Sequence, residues 1–340
     1  MKKKLIVFMT ICVLSINCLL LSHNQEVDYE EESFKPNFNF YAENMLSTEA
    51  AGRGYTGVAS IGDISTTNIN PASLEIKDNA QMYYEYGTKN DVDLYEDYYD
   101  NMKLEKYKSS VSVGCAYRIS DAFKVGIIYN QLSSYKVDYG YIYNYDNFGY
   151  ITDVFHVYEK VAISSLSFPV SYSYRNILRL GIGLDFNIYE ANNSDVIYTE
   201  YQAYEGYKSE IDFVLFRPKI GAIVKPLENL SFGFTFLPAS KKNIVEQITW
   251  YKIEYKANEF PLEIRVGTQY SLKNIPIDLL FDYKYTQESA YLEFKDRNDF
   301  YFGLEYDIIP KMHLRTGFFT QYDYRNMDYE NGDGTNYWFD

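Results

Sequence analysis

The sequence predicts an all-β chain that crosses a membrane as an antiparallel β-barrel, with a glycine-rich N-terminal segment as its plug. Three observations lead there. From Gln81 onward, segment after segment alternates apolar and polar residues, which gives a strand one apolar and one polar face. The connections between these segments alternate between short turns and long stretches, the pattern of outer-membrane barrels. Aromatic residues make up 18% of the chain, with 38 Tyr against 2 Trp. Tyr suits a membrane interface, because its ring sits in lipid and its hydroxyl in water.

The chain opens with Met1-Lys2-Lys3-Lys4 and an apolar run from Leu5 to Leu21. A basic start followed by such a run is the pattern of a secretory signal peptide, expected over residues 1–22. A helical anchor needs roughly 20 apolar residues, and Ser15 and Asn17 interrupt this run. Lipidation of Cys18 is the minority alternative. No later run suits a spanning helix, so the exported chain is soluble or spans as a closed barrel, since only helices and closed barrels satisfy their backbone in lipid. The mean hydropathy of −0.34 fits a barrel, whose lipid-facing and lumen-facing residues average out.

The net charge is −15, with acid concentrated in runs such as Asp91 to Asp100 and Asp323 to Asp333, read as solvated loops. This balance argues against nucleic acid as a partner, which requires clustered cations. Of the 3 Cys, Cys12 and Cys18 lie in the signal and Cys115 stands alone, so no disulfide and no Cys-type metal site is expected. His23, His156 and His313 are scattered. Glu30-Glu31-Glu32 and Asp97 with Asp100 are the acid/base candidates, but no Ser-His-Asp arrangement is recognisable. The reading is a non-enzyme with no cofactor and no metal.

Residues 23–79 form an extension and a plug. The extension is acidic, with Phe34, Phe38, Phe40 and Tyr41 as isolated anchors. The plug follows, with Gly52, Gly54, Gly57 and Gly62 permitting positive φ and close backbone packing and Asn70-Pro71 marking a turn. A phosphate-binding loop would need a preceding strand, a following helix and Gly-Lys-Ser/Thr, which are missing. The expected plug and gating residues are Gly52, Arg53, Gly54, Gly57, Asn70, Pro71 and Ala72.

Residues 80–340 are expected to form the barrel. The clearest strand alternates Leu178, Leu180, Ile182, Leu184, Phe186 and Ile188 with Arg179, Gly181, Gly183, Asp185 and Asn187. Ile211, Phe213 and Leu215 stand in one phase and Ile220, Ala222 and Val224 in the other, so a bulge or kink is expected at Arg217-Pro218. About eleven strands are visible, so either the barrel is C-terminally incomplete in this sequence or a very short twelfth strand closes the wall. Long loops are expected at Lys89–Lys108, Asp138–Lys160, Glu190–Glu210, Ser240–Glu259 and Gln287–Asn298. Asp185, Glu263, Arg265, Asp278, Asp282, Lys284, Glu305 and Arg315 fall on the polar phase, together with Arg179. They are expected to face the lumen, because each charge on the lipid face near mid-membrane costs roughly 2–4 kcal/mol. Two roles stay open for them: a salt-bridge network holding the wall, or selectivity.

With these residues in place, the chain resembles the FadL-type outer-membrane transport proteins, including PorV-like and spirochaete members. The resemblance rests on Gly52-Arg53-Gly54, Gly57-Val58-Ala59 and Asp63, then Asn70-Pro71-Ala72-Ser73-Leu74. Further along come Lys225-Pro226 before Leu230-Ser231-Phe232-Gly233, Pro238, Pro261, Gly303-Leu304-Glu305-Tyr306 and Leu314-Arg315-Thr316-Gly317. It implies a monomeric barrel in outer-membrane lipid, typically of about fourteen strands, plugged by its N-terminal segment. It implies passage of hydrophobic small molecules such as long-chain fatty acids, from an outer groove through a hatch to a lateral opening. Tyr141, Tyr143, Tyr145, Phe148 and Tyr150 are groove candidates, or else an aromatic girdle or an extended hairpin. PorV-like members serve secretion and surface attachment instead, so the alternative function is a structural barrel with secretion-machinery partners.

Overall fold

Thirteen strands in a single sheet carry most of the chain. The computed structural model describes residues 47–91, 106–145, 151–198, 203–249, 251–287, 295–309 and 312–320. The signal segment with Cys18, the extension with Phe34, Phe38 and Phe40, and Phe148 and Tyr150 lie outside the described residues, as do the side chains of Tyr141, Tyr143 and Tyr145.

The strands are β1 (Ala80–Asp91), β2 (Lys106–Arg118), β3 (Phe123–Tyr145), β4 (Ile151–Tyr174), β5 (Leu178–Tyr198), β6 (Ala203–Leu227), β7 (Leu230–Leu237), β8 (Ser240–Ile248), β9 (Tyr251–Phe260), β10 (Glu263–Ser271), β11 (Ile277–Thr286), β12 (Arg297–Ile309) and β13 (Met312–Phe319). Each pairs antiparallel with the next along the wall, except that β7 pairs with β10 and the β8–β9 hairpin branches off against β6. Among the described residues there are thirteen strands, two beyond the eleven read from the alternation. Eleven strands line the wall, and the added two come from Ser240–Glu259, expected to be loop. Among the described residues the ladder runs from β1 to β13, and these two edge strands point the same way.

Burial in this sheet is inverted relative to a soluble protein. Leu180, Ile182, Leu184, Phe232, Phe234, Phe300 and Phe302 are exposed, while Arg179, Asp185, Arg265, Asp282 and Asp299 on the opposite faces are buried. Lipid accepts the outer apolar row, and the polar row turns inward, where charges can pair.

The wall is uneven in height. Strands β3 to β6 run 23, 24, 21 and 25 residues, whereas β7, β10, β11 and β13 run 8 to 10. Roughly 9–11 residues suffice to span a bilayer. The tall strands are therefore longer than the short ones by roughly 35–55 Å, at about 3.3 Å per residue. Their upper parts occupy the described residues of Asp138–Lys160 and Glu190–Glu210 (138–145, 151–160, 190–198 and 203–210), the stretches expected to be loops. These stretches are rich in Tyr, Val and Ile, residue types that favour strands even without a lipid face to impose alternation.

The expected kink at Arg217-Pro218 is absent. The β5–β6 register passes unbroken through Asp185↔Arg217 and Leu184↔Pro218. What switches is the chemistry of the inner face. Ile211, Phe213 and Leu215 point inward and are buried, and so do Arg217, Gly221 and Ile223 further down the same strand.

Inside the wall lies the segment 47–76. It contains the short helix α1 (Thr48–Gly52) and two 3-10 turns, Ile64–Asn68 and Pro71–Ser73. Each begins at a polar cap: Ser47 Oγ accepts from Ala50 N at 3.0 Å, Asp63 Oδ1 from Ser65 N at 2.8 Å and Asn70 Oδ1 from Ala72 N at 2.9 Å. Such caps satisfy backbone donors that a short helix leaves open. Ile64, Leu74 and Ile76 pack against Ala116 and Ile128 of the wall.

Candidate functional site

The inner face has two levels, divided near Arg217. At the lower level, toward the short turns, the inner segment meets the wall backbone to backbone. Gly233 of β7 and Gly267 of β10 form a register pair, as do Gly303 and Gly317 of β12 and β13. A Cβ at Gly233 would collide with Val58 and Ala59, and one at Gly317 with the backbone of Arg53 and Gly54. Glycine ordinarily weakens a strand, but it admits a close backbone. On the other side of the wall, Pro71 and Ala72 fill the space above Gly181. Gly54 and Gly57 take positive φ values of 60° and 145°, and Tyr55, at 61°, does so without glycine's freedom.

Charges fasten the same level. The Asp282 carboxylate accepts N–H bonds from Gly57 at 2.8 Å and Val58 at 3.1 Å and pairs with Arg265 at 3.1 Å. Arg265 also donates to the Tyr55 carbonyl and stands 4.4 Å over the Tyr301 ring. Arg53 bridges Glu49 at 3.1 Å and Glu305 at 3.5 Å, and Glu305 binds Arg315 at 2.7 Å. Gly52 packs on the Arg315 side chain. Asn70, fully buried, donates to the carbonyls of Val58, Ala222 and Phe234, joining both halves of the segment to β6 and β7.

Arg179 donates to the Ala72 and Leu74 carbonyls and pairs with Glu75 at 2.8 Å, which Lys124 also approaches at 3.3 Å. Burial pushes the Glu75 carboxyl up, but Arg179 and Lys124 outweigh it and hold the group below the usual glutamate range.

All eight lumen charges expected from sequence lie on the inward phase, but they divide by partner. Asp282, Arg265, Glu305 and Arg315 fasten the inner segment directly. Asp185 does so through Lys219, which reaches Asp185 at 2.8 Å and the Asn68 carbonyl at 2.9 Å. Glu263 and Lys284 pair with each other at 3.2 Å. Asp278 accepts from Gln269 at 2.7 Å. Sequence reasoning missed Lys124, Arg217, Lys219, Arg297 and Asp299. The polar phase between Phe123 and Val125 would have found Lys124. The expected phase change at Pro218 concealed Arg217 and Lys219.

The upper level is apolar. Val161 and Ile163 of β4, Tyr189 and Ala191 of β5, Ile211, Phe213 and Leu215 of β6, Ile244 of β8 and Phe260 of β9 form one buried cluster. Ring centroids of Tyr189 and Phe213 lie 4.9 Å apart, and those of Phe213 and Phe260 lie 5.9 Å apart. Directly below, Arg217 pairs with Glu263 at 3.1 Å and donates to the Pro261 carbonyl at 2.6 Å. Beside this boundary the ladder is interrupted. β6 pairs with β7 only up to Ile220 and with β8 only at Ser209 to Ile211. Pro218, which supplies no N–H, lies between these two registers.

Glu305, Asp307 and His313 bring three potential metal-ligand atoms within 4.8 Å of one another. Glu305 is already committed to Arg53 and Arg315, and the group carries no metal assignment here.

No family model matches the sequence, and no curated protein matches it. Solved structures do. The Ralstonia pickettii toluene transporter TbuX superposes with a TM-score of 0.60 at 13% identity, covering 83% of this chain and 87% of its own. A deltaS2S3 mutant of the monoaromatic hydrocarbon channel TodX superposes with a TM-score of 0.52 at 13% identity, covering 78% and 82%. The fold is that of the FadL-type transport proteins. The FadL-type fold accounts for the inverted burial, since its wall is a membrane-spanning barrel with a lipid-facing exterior.

Proposed function

We propose that this chain is an outer-membrane barrel, exported by its N-terminal signal, that passes hydrophobic small molecules. One observation carries the reading: a buried apolar cluster stands directly above an ion-paired floor, beside the place where β6 changes neighbour from β7 to β8. A solute entering from the tall side leaves water for Tyr189, Phe213 and Phe260, gaining roughly 2.5 kcal/mol for each 100 Å² of apolar surface buried. It meets the floor as a barrier, because parting the Arg217–Glu263 and Lys219–Asp185 pairs would strand buried charges. The change of neighbour near Pro218 is the place in the wall where a side exit toward lipid would form, and lipid suits an apolar solute. The inner segment, with Gly52, Arg53, Gly54, Gly57, Asn70, Pro71 and Ala72, serves as the hatch that keeps water and ions from following. No step is chemical, and the protein acts as a monomer rather than as an enzyme.

The aromatic cluster suits small aromatic hydrocarbons, in keeping with the names of TbuX and TodX. Arg217 and Lys284 at its lower edge suit the carboxylate of a long-chain fatty acid. Flux of labelled toluene and labelled oleate into proteoliposomes tests both. The expected result is saturable flux that protein lacking residues 52–74 loses control of, leaking small ions as well. Identical flux and ion retention with and without that segment would overturn the reading.

The tall β3–β6 side favours a second reading, a PorV-like surface barrel whose projecting strands hold secreted partners. Co-purification of surface or secretion proteins through residues 132–159 would support it, and a monomer carrying only lipid would count against it.

A further inference from the structure

The β8–β9 hairpin is joined to the wall differently from every other described strand pair. Among the described residues its far end is in register with β6 at Ser209↔Ile248, Glu210↔Gln247 and Ile211↔Glu246, where Ser209 Oγ donates to Glu246 Oε1. Thr249 N donates to the Lys208 carbonyl at 2.9 Å, and Lys208 N to Thr249 Oγ1 at 2.7 Å. At the base, β7 gives way to Pro238 and β9 to Pro261. Proline supplies no N–H, so neither junction can extend a ladder. On β8, Lys241, Lys242, Asn243 and Val245 are exposed, whereas Ile244 is fully buried and Phe260, closing β9, is 3% exposed. Both insert into the apolar cluster on the inner face, with Phe260 against Phe213.

A short ladder at one end, proline at both base junctions and two apolar side chains pushed into the cluster describe a hinged flap. We propose that Ile244 and Phe260 are resident occupants of the solute site, and that a hydrocarbon of about benzene-ring size or branched-chain width enters by displacing them as the hairpin swings outward. Replacing one apolar occupant by another leaves the cluster's burial nearly unchanged. The flap therefore keeps water out of an empty site without opposing the solute. This inference rests on the transport reading above and adds to it the occupant and the moving part.

The test locks the flap. Glu210→Cys with Gln247→Cys, in a Cys115→Ser background, places two thiols at directly opposed cross-strand positions, within disulfide reach. Reduced protein is expected to carry labelled toluene at the wild-type rate. Oxidised protein should carry it at least ten-fold more slowly, with recovery on adding dithiothreitol. Equal flux in both states would overturn the proposal. Adding Ile244→Cys gives a readout independent of transport, by maleimide modification of residue 244 mapped by peptide mass. Modification in reduced protein and protection in oxidised protein is expected, and protection in both states would show that the hairpin does not move. Absence of flux in every form would sink the transport reading, and the modification pattern would still decide whether the flap swings.

Discussion

The two levels of the inner face are built on the same strands and behave oppositely. On β6, Arg217, Lys219 and Gly221 meet the inner segment or its ion-paired surroundings, and a few residues away Ile211, Phe213 and Leu215 pack in the apolar cluster. The lower level is held by directional bonds, many from charged groups to backbone carbonyls and N–H groups, so each removed partner leaves a buried group unsatisfied. At the upper level the inward side chains pack by apolar contact. A strand can thus carry an ion-paired face at one end and an apolar face at the other with its register to β5 unbroken between them.

Four changes would break or sharpen this contrast. Asp282→Ala should cost the most, about 3–5 kcal/mol, because it strands Arg265 and removes the acceptor of two backbone N–H groups. Chemical denaturation in detergent would measure it, and a loss below 1 kcal/mol would mean that the lower level is not a lock. Gly233→Val should cost about 1–3 kcal/mol by driving a side chain into Val58 and Ala59; the same assay applies, and unchanged stability would show that the inner segment yields freely. Phe213→Ala should slow toluene flux about ten-fold, equivalent to about 1.4 kcal/mol, while leaving ion retention intact; ion leakage would instead place Phe213 in the seal.

The smallest effect concerns pH. Because Glu75 titrates below its ordinary value when folded, the stability it contributes is fully present above about pH 4.5, the ordinary glutamate value, and is lost as pH falls through the lower folded value. Its partial exposure keeps that contribution under about 1 kcal/mol. Glu75→Gln should flatten the acid side of the stability profile, and an unchanged profile would remove Arg179 and Lys124 from the account.

Much of this was legible in the sequence where lipid enforces a pattern. Leu178 to Ile188 alternates strictly because one face must be apolar throughout, and the structure places β5 there. Past the bilayer that constraint lapses. The stretches around Tyr141, Val154 and Ile197 therefore read as loops, although Tyr, Val and Ile are strand formers. The apparent phase change at Pro218 misled for a related reason. The inner face itself turns from apolar to polar, so the apolar residues change sides while the backbone does not. The roles of Gly233 and Gly317 were hidden for another reason. A glycine on a polar phase reads as a neutral small residue until the chain that fills its space is known.

Those glycines bear on how the molecule is assembled. The wall strands approach the backbone of residues 53–59 and 71–72 more closely than any side chain would allow, and Asn70 ties carbonyls from the segment and from two strands together. A finished wall leaves no slack through which such a segment could be threaded. Residues 47–76 precede every described strand, so they can act as the template on which the wall is laid. The order of the sequence is then also an order of construction, with the stopper cast first and the vessel formed around it.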